Sequence, residues 1–355
     1  NTMLEKLLAR FYFRNGLYTK SAALLKKYPR KEDFIWKRAQ IYEFNEHYSE
    51  AIQLLKILHQ RDTANIKYLK YLGNNYYRLD SMDQAIDYYE KALTINPYDQ
   101  LTAYRLSSLY RKEKRFTLAV QVCDTILSKD SLNIKFLKQA GYIYHLWKKY
   151  EKSYPLFSKI LQLGDSSTFI YKHMGIAEVK MQYNYPARKH LLKAYKKDTT
   201  DFAICFFLGQ AFASSNKPEK GLFFLNRADS IVRPRPKLIA AINEKKISIY
   251  HALKKYNTAL DLYHKSYEIT AKPEYLFYMA SIYNFQLKNK EKALEYYQSF
   301  LNALPSKKNS NHEMNKDVMV ISLQKTAEDN IKQIKEDLFW QKSSDTTIQN
   351  TNSEN

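Results

Sequence analysis

Eight histidines, two cysteines and 36 acidic side chains are the groups of this chain that could hold a metal or move a proton. Their spacing assembles no centre of that kind. No His-Glu-x-x-His, no paired Cys-x-x-Cys and no glycine-rich phosphate loop occurs, and seven glycines supply few of the tight turns on which active-site loops depend. His47, His59, His190, His251, His264 and His312 stand singly and read as surface residues. His145 and His173 fall at similar helical places in neighbouring segments and could approach each other, but no carboxylate or thiol accompanies them. Cys123 and Cys205 sit at apolar slots far apart and read as small buried residues, not as a disulfide or a metal pair. The carboxylates are spread over helix surfaces. No catalytic residue, metal or cofactor is expected, and the chain reads as a non-enzyme.

The basic groups dominate instead. With 57 Lys and Arg against 36 Asp and Glu, the net charge is +21. Such an excess suits an acidic protein, a nucleic acid or an anionic membrane surface, or else it solvates a long exterior. Where the cations lie therefore matters more than their number.

The elements that position them follow from a repeat. In IKYLKYLGNNYYRLDSMDQAIDYYEKALTINPYD, residues 66–99, Leu72, Tyr76, Ile86 and Leu93 supply apolar surface at helical spacing. Gly73 and Ala85 are small enough for two helix backbones to approach closely, and Pro97 stops the second helix. The slot of Ala85 recurs every 34 residues at Ala51, Ala119, Ser153, Ala187 and Gly221. The first-helix slot recurs in step as Ala39, Gly73, Ser107, Gly141, Gly175 and Gly209, and the aromatic three residues on as Tyr42, Tyr76, Tyr110, Tyr144 and Phe212, broken only by Glu178. Four extra residues around Arg233-Pro234-Arg235-Pro236 move the next slot to Ala259, and Ala293 follows. A longer turn is expected there, and a one-residue insertion in the last turn between Gln286 and Glu291.

This unit resembles the tetratricopeptide repeat, the 34-residue helix-turn-helix module. The resemblance implies an all-α fold, an α-α superhelix (a right-handed solenoid) of about eight to nine helical hairpins with a C-terminal capping helix, stacked as one array. The repeats fall at 32–65, 66–99, 100–133, 134–167, 168–201, 202–235, 236–273 and 274–304, after a degenerate hairpin in 1–31. Residues 305–315 read as a polar linker. In 316–341, Val320, Leu323, Ala327, Ile331, Ile334 and Leu338 form a stripe that suits a cap on the last repeat, with a zipper-like dimer through that helix as the alternative. Residues 342–355 have almost no apolar content and read as disordered.

The resemblance also implies that the second, fifth, sixth, ninth, twelfth and thirteenth residues of each first helix face a concave groove. Over 66–201, ten of these 24 positions are Lys or Arg and none is acidic. They include Lys67, Lys70, Asn74, Tyr77, Arg78, Tyr104, Arg105, Arg111, Lys135, Lys138, Tyr142 and Lys172, the candidate binding residues. Tetratricopeptide proteins that grip the C-terminal carboxylate of heat-shock chaperones use a Lys and an Asn one turn apart, an Asn in the next repeat, then a Lys and an Arg. Lys70, Asn74 and Lys135 match that pattern, whereas Arg105 and Gln139 depart from it. The resulting expectation is a non-catalytic scaffold that holds an acidic peptide segment or C-terminus, with single-stranded nucleic acid as the alternative ligand of the same face. No apolar run approaches the ~18 residues of a membrane span, so no integral membrane segment is expected. The start at Asn1, directly before a helical pattern, favours a periplasmic or secreted location after removal of a signal over a cytoplasmic one.

Overall fold

The computed structural model describes residues 2–27, 31–213, 215, 217–232, 235–304 and 314–352. Nineteen α-helices, one π-helical turn and no strand occur among them. The chain divides into two compact units, Asn1–Ser166 and Ser167–Asn355, separating next to a repeat boundary. The first unit pairs α1 (Thr2–Arg14) with α2 (Tyr18–Lys26), α3 (Glu32–Phe44) with α4 (Tyr48–Arg61) and α5 (Ile66–Arg78) with α6 (Met82–Ile95). It continues with α7 (Gln100–Lys112) and α8 (Phe116–Lys129), then α9 (Ile134–Leu146) and α10 (Tyr150–Gln162). The second unit pairs α11 (Thr168–Lys180) with α12 (Asn184–Lys197) and α13 (Phe202–Ala213) with α14 (Pro218–Val232). Then follow α15 (Pro236–Ala252) with α16 (Tyr256–Thr270), α17 (Glu274–Ser281) with α18 (Lys290–Ala303), and α19 (Met314–Asn352).

Each hairpin closes where the small-residue slots predict. A Cβ on Gly73 would lie 2.6 Å from the ring of Tyr89, which crosses that position from α6 and is itself buried. The turn between the helices repeats as well. Ser81 N–H donates to the carbonyl of Tyr76 (3.0 Å) and Asp80 N–H to that of Tyr77 (3.1 Å), with Asp80 in the left-handed region at φ 57°. This Schellman closure satisfies the last carbonyls of the first helix. The left-handed place passes from Glu46 and Asp80 to Lys114, Lys148 and Gln182 at the repeat period, without a glycine at any of the five.

Four features depart from the pattern. The extra residues near 233 lengthen a helix instead of a turn: α15 has 17 residues where α5 has 13, with Pro236 at its first turn, where a fixed φ is helix-compatible; Arg233 and Pro234 lie outside the described residues. The one-residue insertion of the last repeat is taken up in the π-helical turn Ile282–Gln286, where Leu287 N–H donates to the Ile282 carbonyl at 3.0 Å. Helix α19 extends beyond 316–341, through residues 342–352 that composition marked as disordered, because no Gly or Pro interrupts 314–352. It packs on α18, with Ala327 and Ile334 buried, Asn330 donating to the Tyr297 hydroxyl (3.2 Å) and Lys290 paired to Asp337 (2.6 Å). Residues 305–313 of the expected linker and 353–355 of the tail lie outside the described residues.

The fourth departure corrects the reading of His190 as a surface residue. Its Nδ1 lies 2.9 Å from a carboxylate oxygen of fully buried Glu178, and its own side chain is 15% exposed. Glu178 and His190 occupy the slots that hold stacked Tyr76 and Tyr88 in one repeat and stacked Phe212 and Phe224 in another, so a hydrogen-bonded carboxyl–imidazole pair replaces a ring pair at the same place. Both cysteines are buried. Burial pushes the Cys123 thiol up to about 12 and the Cys205 thiol up to about 11, which leaves both as packing groups and not nucleophiles.

Candidate functional site

In the first unit the cations predicted to face the groove sort into two kinds by their neighbours. The lysines are engaged within the protein. Lys70 Nζ lies 2.7 Å from Asp99, the residue that caps α7 by accepting from Thr102 N–H at 2.9 Å. Lys138 pairs in the same way with Asp165. Lys67 stands over the Trp36 ring, 5.4 Å from its centroid, and Lys135 over Tyr104 at 4.2 Å. In the second unit, Lys172 repeats the first arrangement with Asp201 at 2.5 Å, and Asp201 caps α13 by accepting from Ile204 N–H. The Lys70–Asp99 and Lys172–Asp201 pairs each fasten a first helix to the cap of the next first helix.

The arginines behave differently. Arg78, Arg105 and Arg111 converge, with Asn74, Tyr77, Tyr104, Ser108 and Lys112, on a cavity of about 530 Å³. Helices α5 and α7 supply these residues at turn spacing along one face. Asn74 Oδ1 accepts from the Tyr89 hydroxyl (2.7 Å) and from Arg105 Nη1, which holds the Arg105 fork at the cavity wall. Burial pushes the Tyr89 phenol up to about 12, so it stays protonated and donates. The Arg111 guanidinium lies over the Tyr142 ring at 5.3 Å, and its buried Nε meets no acceptor among the described residues. A second cavity of about 680 Å³ adjoins through Asn74 and Arg105 and is walled by Lys67, Lys70, Tyr71, Phe13 and Phe44.

Glu43 is an acidic groove position of the repeat that flanks the basic stretch 66–201, where the same offsets place it. It stands at the twelfth position of the preceding repeat and lines both cavities. Burial pushes its carboxyl above the ordinary value, while the charges of Arg105 and Arg78 oppose that shift. Tyr89 lies on a second helix, outside those offsets altogether, so no groove rule could have found it. Of the twelve candidate residues, the structure brings Asn74, Tyr77, Arg78, Tyr104, Arg105 and Arg111 to one cavity and Lys67 and Lys70 to its neighbour. Lys135, Lys138 and Tyr142 follow on α9, and Lys172 belongs to the second unit. The clamp-like pair Lys70 and Asn74 is committed to Asp99, Tyr89 and Arg105.

Acidification tests the Lys70–Asp99 pair. Burial raises the Asp99 carboxyl, but the Lys70 and Thr102 hydrogen bonds and the Lys70 charge outweigh it, so the value lies below the ordinary 3.8. A carboxyl held low in the fold stabilises it above its unfolded value, and that contribution disappears as pH falls through the folded value. Asp99→Asn keeps a good helix cap and removes the charge. The variant is expected to melt slightly lower at neutral pH and to lose less stability than the unaltered chain on descent below pH 3.8, read by thermal melts across pH.

The chain carries tetratricopeptide repeats. Residues 66–99 and 274–306 each match a tetratricopeptide repeat family model. It is 29% identical over 123 residues to a TPR repeat-containing protein of Methanocaldococcus jannaschii, a match covering 34% of this chain and 36% of that protein. It is 26% identical over 102 residues to RNA polymerase II-associated protein 3 of Homo sapiens, covering 29% of this chain and 15% of that one. The matched stretches thus span well under two thirds of either relative. Among solved structures, a tetratricopeptide repeat protein from Parabacteroides merdae superposes with a TM-score of 0.47 at 16% identity, over 70% of this chain and 98% of that chain. No helix among the described residues is long and apolar enough to cross a membrane, and no group of three or more His, Cys, Asp or Glu among them is placed to hold a metal.

Proposed function

We propose that the chain is a non-catalytic protein-interaction scaffold that holds an acidic peptide segment or C-terminus against α5 and α7 of its first unit. The observation that carries this reading is the convergence of Arg78, Arg105 and Arg111 on one cavity beside Tyr77 and Tyr104. Guanidinium forks bind carboxylates through two parallel hydrogen bonds, which suits a cavity lined by three of them. Tyr77 is 46% exposed and Tyr104 36%, so both offer ring surface to an extended peptide. The lysines of the groove tighten the array, and the arginines select the ligand.

Glu43 moderates the site. Its negative charge occupies part of the arginine field, so Glu43→Gln is expected to strengthen binding of a glutamate-rich peptide about threefold to tenfold at neutral pH. Because its carboxyl titrates above the ordinary range, acidification that protonates Glu43 should strengthen binding while the peptide remains charged, and the variant should lose that dependence. Calorimetric titration with a glutamate-rich peptide and with a single-stranded oligonucleotide checks both points. Tighter binding of the oligonucleotide would make nucleic acid the ligand and overturn the peptide reading.

A further inference from the structure

The first helix carries an apolar face turned away from the core. Met3, Leu4, Leu7, Leu8 and Phe11 are exposed by 67, 63, 50, 38 and 58%, although α1 already buries Ala9 against Leu25, Phe34 and Ile41 on its other side. At 100° per residue these five side chains span about 140° of one helix surface, and Leu17, 42% exposed, continues it into the following turn. Single exposed leucines need no explanation, but five on one face of one helix do. The charges around them have one sign. Arg10 and Arg14 flank the Met3–Leu7 row, and Lys20 stands at the other edge, 6.0 Å from the Tyr12 ring centroid. Across α1 and α2 there is a single acid, Glu5, and it is bonded to Lys27 at 3.4 Å.

We infer that this face of α1 is a docking surface for an anionic phospholipid bilayer, on which the helix lies parallel to the membrane plane. An amphipathic helix with leucine and phenylalanine on one side and arginine or lysine at the borders buries its apolar face at the acyl boundary while its cations meet lipid phosphates. Charge complementarity selects this occupant over a second copy of the chain. Two copies packed through this face would bring Arg10, Arg14 and Lys20 against their own kind with no free acid on the hairpin to compensate, and like charges brought together oppose association. The surface is separate from the arginine cavity on α5 and α7.

Vesicle sedimentation of the full 355-residue chain tests the inference. Binding is expected to phosphatidylcholine vesicles that contain phosphatidylglycerol, at least about tenfold weaker to phosphatidylcholine alone, and weaker in high salt. The double variant Leu7→Gln, Phe11→Gln should lose about tenfold or more of the partitioning, with an unchanged melting temperature because both side chains are exposed. Arg78→Glu with Arg105→Glu should sediment as the unaltered chain does. Equal partitioning of the Leu7 and Phe11 variant, absence of vesicle binding, or loss of binding only in the arginine variant would overturn the inference. So would a dimer in light scattering that the Leu7 and Phe11 variant dissolves, since the occupant would then be a second copy.

Discussion

Arg105→Glu is expected to weaken binding of a glutamate-rich peptide by about a hundredfold, on the order of 3 kcal/mol, as loss or reversal of one member of a desolvated charge pair does. Arg105 borders both of the adjoining cavities that share Asn74, and its fork is held by the Asn74 side-chain oxygen Oδ1. Reversal therefore removes a positioned double donor and sets a second carboxylate beside Glu43. Arg105→Lys keeps the charge but loses the fork, so its effect should be several-fold at most. The salt dependence separates the causes: affinity of the unaltered chain should fall as ionic strength rises, and that slope should flatten in Arg105→Glu. The side chain is half-buried and lies outside the hydrophobic core, so the melting temperature of the variant should stay close to that of the unaltered chain.

His190→Leu is expected to destabilise the second unit by about 3 kcal/mol, because it leaves the fully buried Glu178 side chain without its hydrogen-bond partner. Removing one partner of such a pair costs more than replacing both. The repeats supply the replacement: at the equivalent slots Phe212 and Phe224 stack with centroids 5.8 Å apart. Glu178→Phe combined with His190→Phe should therefore recover most of the loss, leaving stability within about 1.5 kcal/mol of the unaltered protein, as apolar exchange of similar volume allows. Chemical denaturation of the unaltered chain, His190→Leu and the double replacement measures both effects. If His190→Leu is as stable as the unaltered chain, the pair contributes nothing to the fold.

Several of these features could be read from the residues and others could not, for identifiable physical reasons. The slots of Gly73, Ala85 and Tyr76 were legible because a hairpin repeated every 34 residues demands a small residue where backbones meet, and the Tyr89 ring across Gly73 shows what a side chain there would displace. The left-handed turn was not legible, since Glu46, Asp80, Lys114, Lys148 and Gln182 share no residue type and none is a glycine. Glu178 stood out as the break in the aromatic series, but its partner His190 lies on the next helix and was masked by an unbroken small-residue pattern around Ala187.

The groove shows the same limit. Offsets on the first helices found Arg78, Arg105 and Arg111, but counting cations overstated the open charge, because Lys70 and Lys138 are paired with Asp99 and Asp165, which lie after the second helix of each hairpin. A signal for this coupling was present. Lys70 goes with Asp99 and Lys172 with Asp201 at slots 29 residues apart, but Lys138 has Ser167 at the matching slot and finds its acid two residues earlier at Asp165, so the pairing is only partly written in the repeat register.

The most direct test of the scaffold reading is photo-cross-linking of a glutamate-rich peptide carrying a benzophenone group to the unaltered chain, followed by mass spectrometry of the adducts. The predicted result is labelling of α5 and α7 around Tyr77, Tyr104 and Ser108, suppressed by excess unlabelled peptide and lost in Arg105→Glu. Labelling confined to α6, α8 or the second unit, unchanged in Arg105→Glu, would contradict it.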